Sequence, residues 1–556
     1  MGSADKTFDA VVIGSGAAGS FAAMELTSQG LDVLLLEAGR SISTADFPTN
    51  FSGPKEKGVQ LWARARAALT GQPLQSRVAF YGAQQRHLFV NDREHPYATP
   101  GDKPYLWIRG KQLGGRLHTF GRVLLRWSDA DFKAASRDGY GYDWPISYSD
   151  LDPYYGKVEQ TLEVRGCEDN VPNLPNGRFA GPSKLTEAER EFKATLESQW
   201  PDRRAVSWRY MPPNIKRVPV PLLKALETGR LTIRSDAVVR RITTDPATGR
   251  ATGAEFVDRL SMSAETVSAG LVMVCASPIE SIRLLLNSGS DRHPDGLCNS
   301  SGTLGRYFMD QVPNLTMGTV PGRKGWEADS TLPPDPFYGS SGGVYIPRYR
   351  NLSAASDGFL RGYGFQGTIG RLFARDEAPA KFGIMGFGEM LPHEDNRVTL
   401  HPTRKDRWGV PVPHIECTLH ENESAMLKQQ TIDLREMVQE AGLDVEFIGS
   451  SLGLEEYGRG PFPEADVFSR MLFRLNFRKS MNLGAAIHES GGVRMGADPG
   501  QSVLNGWNQC WDAPNVFVTD ASSFPTGGCC GTTLTLMALS VRAAEYAANQ
   551  LRAGRL

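Results

Sequence analysis

Two hydrophobic periods divide this chain. Residues 8–40 read FDAVVIGSGAAGSFAAMELTSQGLDVLLLEAGR. The apolar run from Phe8 to Ile13 predicts a buried parallel strand. An Ala-rich amphipathic helix follows, closed near Gly30, and a second apolar run, Val33 to Leu36, predicts the next strand. Residues 228–258 read as two strands, a turn at Pro246–Gly249 and a further strand. Residues 270–289 read as a buried strand, a turn through Ser277–Pro278 and a helix. Between 340 and 420 the runs are short and alternating, as in GGVYIPRYR and DNRVTLHPT, which predicts an antiparallel sheet inserted between parts of the first domain. Residues 141–162 predict a loop and then a helix after Ser149, with Pro153 in its first turn. NVFVTDAS is a buried strand ending in Asp520, and a long helix follows with Thr532 or Thr533 at its N-cap. Residues 166–220 are rich in Pro, Asn and Gly and give no clear element.

The turn between the first strand and helix is GxGxxG, at Gly14, Gly16 and Gly19. The first two glycines let backbone turn tightly and approach a pyrophosphate, and Gly19 lets helix and strand pack closely. The helix N-terminus faces the phosphates. Glu37, at the end of the second strand and followed by Ala38, is placed for a ribose hydroxyl pair and would repel an NADP 2′-phosphate. This unit predicts a dinucleotide and does not separate FAD from NAD. No second glycine fingerprint with its own strand and helix is visible, which disfavours a two-nucleotide reductase. A second glycine cluster, WIRGKQLGGRLHTFGR, places Gly114 and Gly115 as backbone close to a flat cofactor, with Arg109 beside them.

The chain has 556 residues, a formal net charge of −1, and is 40% hydrophobic and 22% charged. It is long enough for more than one domain. The charge balance gives no pull toward nucleic acid or an anionic membrane. No apolar run is long enough for a membrane span. The opening MGSADKTFDAVVIG enters a strand directly, so no signal segment is expected and a cytoplasmic location is. The seven cysteines have irregular spacing and no CxxC pair. No zinc or iron–sulfur site is expected, no metal is assigned, and the thiols are expected to be buried and reduced.

The motifs VVIGSGAAG…LLLEAG, QLGGRLHTFGR, VCASPIESIRLLLNSG, SSGTLGRYFMDQ, HESGGVRMGADP and NVFVTDASSFPT occur in this order. Together they resemble the glucose–methanol–choline (GMC) flavin oxidoreductases over almost the full length. The resemblance implies an α/β fold with a Rossmann-type FAD-binding domain and an inserted substrate domain built on an antiparallel sheet, the two-domain architecture also shared with p-hydroxybenzoate hydroxylase. The expected division is 1–165, 221–312 and 482–556 for FAD, and 313–481 with parts of 46–100 and 166–220 for substrate. It implies oxidation of an alcohol to a carbonyl, with hydride passing to flavin N5. Within the family, GGR…GRVLLRWSDADF, DWPISYSDLDPYY and SVLNGWNQCWD look most like a bacterial branch that oxidises sugars and glycosides, including the pyranose 3-hydroxyl. A non-sugar alcohol and a non-redox lyase are the other readings. The electron acceptor stays open among oxygen, a quinone and a carrier protein, and so does the oligomeric state.

Carried over residue by residue, the family's active-site histidine falls on His488. The Asn that normally shares the substrate oxygen is replaced by Gly531, leaving the Thr532 hydroxyl or water for that task. The helix from Thr533 points its N-terminus at the flavin and favours negative charge there. Gly14, Gly16, Gly19, Glu37, Ala38, Arg109, Gly114, Gly115, Thr119, Val239, Asp520 and Thr533 are the candidate FAD contacts. Thr119 precedes Phe120 where covalently flavinylated relatives have histidine, so non-covalent FAD is expected. Gln311 stands where the family's MDH motif has its histidine. With Tyr345 and Gln366 it is a candidate substrate contact.

Overall fold

The uninterrupted apolar runs near the N-terminus and around residue 272 form strands buried on both faces, and they make the centre of one sheet. The structure is a computed structural model that describes residues 7–49, 57–78, 81–328, 332–353, 358–372 and 374–556. Positions 1–6, 50–56, 79–80, 329–331, 354–357 and 373, within the expected domain ranges, lie outside the described residues. In chain order the strands are β1 (Phe8–Ile13), β2 (Val33–Leu36), β3 (Val206–Ser207), β4 (Leu231–Arg234), β5 (Ala237–Thr244), β6 (Ala251–Asp258), β7 (Ala264–Val274) and β8 (Gln311–Lys324). They continue with β9 (Val344–Ile346), β10 (Tyr363–Leu372), β11 (Pro379–Glu389), β12 (Arg397–Lys405), β13 (Pro411–Glu416), β14 (Asp444–Ser450), β15 (Gly453–Glu456) and β16 (Val516–Val518).

The first sheet runs β4-β2-β1-β7, with β16 also on β7, and all these pairs are parallel. The early half of β7 turns instead into an antiparallel meander with β6 and β5. Helix α1 (Ala17–Ser28) follows β1, α2 (Pro278–Asn287) follows β7, and the long final helix spans Thr533–Arg552. The final helix packs against α1, and the Ser540 hydroxyl donates to the Ala18 carbonyl at 2.8 Å. This is the Rossmann-like layer that the βαβ pattern predicts.

The second sheet runs β15-β14-β8-β11-β10-β9-β3 and is antiparallel throughout. Helix Glu421–Glu440 packs on it, burying Met426, Leu427, Leu434, Met437 and Val438. The unplaced 166–220 stretch supplies edge strand β3 and the helix Glu187–Gln199, whose Thr186–Glu189 pair makes a capping box.

Two local expectations are corrected. The helix expected after Ser149 is Tyr148–Thr161 with Ser147 as N-cap, because Asp150 stands three residues after Ser147 and completes a capping box. Pro153 therefore lies in the second turn. Of the thiols expected to be reduced, Cys298 and Cys510 form a disulfide. Separated by 212 residues, they carry no local signal of pairing. Cys275, Cys417, Cys529 and Cys530 are buried free thiols and Cys167 is partly exposed. No described helix is long and apolar enough to cross a membrane.

Candidate active site

The dinucleotide loop is shaped by close backbone approach. A Cβ on Gly14 would lie 2.5 Å from the Cys275 carbonyl oxygen, and one on Gly19 would lie 1.8 Å from that of Gly14. Gly14 also has φ of +101°. A Cβ on Gly16, in contrast, would meet nothing within 4 Å. The space over Gly16, at the N-terminus of α1, is where a pyrophosphate would be held by backbone N–H groups. Glu37 is buried, and its Oε1 accepts the Gly39 N–H at 2.8 Å while its Oε2 accepts the Ser15 N–H and hydroxyl at 3.2 and 2.5 Å. Burial pushes its pKa up against those bonds. Ala38 packs partly buried against Val238, Val257, Trp408 and Val410. Val239 is half-buried in β5.

The second glycine cluster lies on this loop. The Gly114 N–H donates to the Ser15 hydroxyl at 2.8 Å, and a Cβ on Gly115 would stand 3.7 Å from the Gly16 Cα. Thr119 caps the short 3-10 turn Gly115–His118 and donates its hydroxyl to the Arg116 carbonyl at 3.3 Å. The neighbouring His118 is buried with Nε2 on the Leu113 carbonyl at 2.9 Å. These glycine cradles fit an FAD.

Two predicted cofactor contacts are engaged elsewhere. Arg109 donates to the His95 carbonyl at 2.7 Å and lies over the Trp107 ring at 4.0 Å, so its guanidinium is part of the packing. Asp520 follows β16 into the site, but its carboxylate accepts from the Ser277 and Ser522 N–H groups and the Ser281 hydroxyl. It ties α2 to the C-terminal segment. The partners His95, Ser277 and Ser281 are distant in sequence, which is why spacing alone could not reveal them.

His488 is held from behind by two consecutive residues at the start of β8. Asp310 accepts the His488 N–H at 3.0 Å and the Gly484 N–H at 2.7 Å. Burial and the neighbouring Glu489 raise the Asp310 pKa. Gln311 donates its amide to the Gly528 and Cys530 carbonyls at 2.7 and 2.9 Å, which leaves its Oε1 on His488 Nδ1 at 2.6 Å. An amide oxygen only accepts, so His488 carries its proton on Nδ1 and Nε2 holds the free lone pair. Gln311 is fully buried and is therefore a positioning residue behind the imidazole, correcting its placement among substrate contacts. Asp310 is a site residue that sequence reasoning missed; the MDQ motif contained the signal.

Burial, reinforced by the Arg116 cation, lowers the His488 pKa to about 4. Arg116 itself pairs with Glu489 at 2.6 Å and so joins the second glycine cluster to the His488 segment. The Phe387 ring packs on the imidazole at 5.1 Å between centroids. Ile487 just before it has φ of +62°, a costly backbone for a β-branched residue. Gly531 faces this imidazole, and a Cβ there would stand 3.8 Å from Nε2 with nothing nearer. Thr532 is buried at the N-cap of the final helix without a side-chain cap bond, and Thr533 is that helix's first residue. The Tyr345 hydroxyl contacts Cys530 Sγ at 3.1 Å. Gln366 pairs with Tyr345 across the sheet and is half-buried. On the Cys529–Cys530 side lies a small cavity walled by Tyr345, Arg348 and Asn173. It shares Arg348 and Asn173 with a larger cavity of about 460 Å³, which Asp202, Arg204 and Tyr148 also line.

A dinucleotide-type loop and a buried histidine, joined through the Arg116–Glu489 pair, fit an oxidoreductase site. The chain belongs to the GMC oxidoreductase family: its N-terminal model matches residues 8–312 and its C-terminal model residues 392–540. The family is FAD-binding, and relatives of this chain are named as dehydrogenases and oxidases of alcohols. Among relatives, the chain is 28% identical to 2-methyl-1,2-propanediol dehydrogenase of Mycolicibacterium austroafricanum, covering 98% of this chain and 95% of that one. It is 26% identical to the fructose dehydrogenase large subunit of Gluconobacter japonicus, covering 98% of each. A solved structure of an Aspergillus oryzae RIB40 formate oxidase variant, studied for its FAD modification, shares the fold with a TM-score of 0.64 at 14% identity, over 99% of this chain and all of that one.

Proposed function

We propose that this enzyme oxidises a secondary alcohol of a sugar or glycoside to the ketone, with His488 as the base. The observation that carries this reading is the His488 arrangement. Gln311 fixes the tautomer, Asp310 fixes the backbone, and the lowered pKa keeps Nε2 unprotonated at neutral pH. A lone pair so held takes the hydroxyl proton as the carbinol carbon loses hydride. FAD, when bound, accepts that hydride. Gly14, Gly16, Gly19, Gly114 and Gly115 hold the cofactor's backbone-contacting parts, Glu37 its ribose, and the Thr533 helix end favours negative charge on its ring. The space at Gly531 receives the substrate oxygen, with the Thr532 hydroxyl or water beside it.

We assign FAD to the portion built on the parallel sheet (1–165, 221–312 and 482–556) and substrate to the portion built on the antiparallel sheet. FAD is bound non-covalently: Thr119 offers no ring nitrogen, and the His118 Nε2 is engaged by Leu113. The sugar assignment draws on the fructose dehydrogenase relative and on the half-buried Gln366 of the antiparallel sheet, whereas Tyr345 is buried with its hydroxyl on Cys530. The diol dehydrogenase relative favours a second reading, a small non-sugar alcohol. Anaerobic mixing with pyranosides, polyols and simple diols tests both. Bleaching of the flavin by pyranosides supports the first reading, and bleaching by diols alone supports the second. No bleaching by any alcohol would rule out both.

A further inference from the structure

The loop between β11 and β12 meets the start of α3 (Glu421–Glu440) in a cluster that the flavin chemistry does not use. His393 and Asp395 come from the loop, His420 precedes α3, and Glu423 lies in its first turn. One ligand atom from each of His393, Asp395 and His420 lies within 4.8 Å of the others. His393 Nε2, His420 Nε2 and Glu423 Oε2 are buried without a hydrogen-bond partner. Glu423 is 0% exposed. A buried carboxylate oxygen 3.4 Å from one imidazole nitrogen, with a second imidazole whose Nε2 has no hydrogen-bond partner stacked beside the first, is costly unless something cationic sits among them.

We propose that His393, His420 and Asp395, with Glu423 as the adjoining carboxylate, bind a divalent transition-metal ion of the zinc type. The supporting contacts have the form of a metal site. The Tyr140 hydroxyl engages His393 Nδ1 at 2.8 Å, which orients the ring and leaves Nε2 for the ion. Glu423 Oε1 accepts the Leu391 N–H at 3.1 Å and the Asn422 amide at 3.2 Å, which turns Oε2 toward His393. His393 Nε2 to Glu423 Oε2, and His420 Nε2 to Asp395 Oδ1, are both 3.4 Å. That is long for a hydrogen bond. It equals the spacing of about 3.4 Å between two ligands on a tetrahedral ion with bonds of about 2.1 Å.

The two imidazoles lie face to face, centroids 3.8 Å apart and planes 27° from parallel. The ion enters as His420, the more exposed ring, turns about its Cβ–Cγ bond. Two imidazoles with the Asp395 carboxylate, and Glu423 adjoining through His393, suit zinc and its neighbours, whereas calcium and magnesium take oxygen alone. The two carboxylates offset the ion's charge. Its role is to clamp the loop after β11, the strand that carries Phe387 onto His488, to the start of α3.

The test uses flavin-loaded protein dialysed against a chelator and titrated with ZnCl2 by calorimetry, with thermal unfolding followed in parallel. A single saturable equivalent and a raised unfolding temperature are expected. Tyr140→Phe should weaken binding about tenfold to a hundredfold. His420→Gln should abolish it. Asp395 is largely exposed, so Asp395→Asn is the variant that leaves folding alone, and it too should lose most of the affinity. Absence of saturable zinc binding overturns the proposal, and so does wild-type affinity in folded His420→Gln or Asp395→Asn. Neither result decides the alcohol oxidation, because zinc binding is read directly and none of these residues belongs to the His488 site.

Discussion

At the scale of single residues, the proposed chemistry depends on which His488 nitrogen is free and when it is protonated. Gln311 settles the first and burial the second. A base works only when unprotonated, so activity rises with pH through its pKa. A pKa lowered from the ordinary 6.5 to about 4 moves that limb downward. The kcat/KM profile is therefore expected to stay flat through pH 6 and to fall only as pH approaches about 4. An inflection near 6.5 would show that the environment does not depress the imidazole. Gly531 makes a second prediction. Its φ is not positive and a Cβ meets only His488 Nε2 at 3.8 Å, so Gly531→Asn is expected to fold normally. The added amide occupies the space of the substrate oxygen, and kcat/KM is expected to fall roughly tenfold or more, since a misplacement of about 1 Å costs on that order. Unchanged steady-state kinetics would remove that space from the substrate path.

At the scale of elements, the β1–α1–β2 unit was legible because all its determinants are local: apolar runs, glycine spacing and a terminal acid. The close approach of Gly19 to the Gly14 carbonyl makes that unit intolerant. Gly19→Ala is expected to cost about 1–3 kcal/mol and to lower flavin content, read from thermal unfolding and from the ratio of flavin to protein absorbance. Full flavin loading with unchanged stability would mean that the helix can withdraw from the loop. The Tyr148–Thr161 helix shows a weaker kind of legibility. Its existence was readable, but its start was placed after Ser149, and the reach of Asp150 to Ser147 sets the cap two residues earlier.

At the scale of the whole molecule, a disulfide joins the Cys298 segment after α2 to the Cys510 segment before β16. Closing so long a loop restricts the unfolded chain and is expected to contribute about 2–5 kcal/mol. The paired substitution Cys298→Ala with Cys510→Ala should lower the unfolding temperature, and thiol counting under denaturing, non-reducing conditions should find five free thiols in the wild type, the number of unpaired cysteines. Seven free thiols would mean that the pair is reduced.

The sequence by itself determined the dinucleotide loop, the parallel layer, the alternating runs of the second sheet and His488, because each is written in short-range periodicity or in a compact motif. Tertiary structure alone decided what those residues touch. It set Gln311 behind His488, spent Arg109 and Asp520 on packing and tethering, paired Cys298 with Cys510, and gathered His393, Asp395 and His420 with Glu423 against His393. The physical reason is common to all four. A side chain's partners are fixed by where strands and helices meet after the chain has closed loops of tens to hundreds of residues, and no local pattern encodes that meeting.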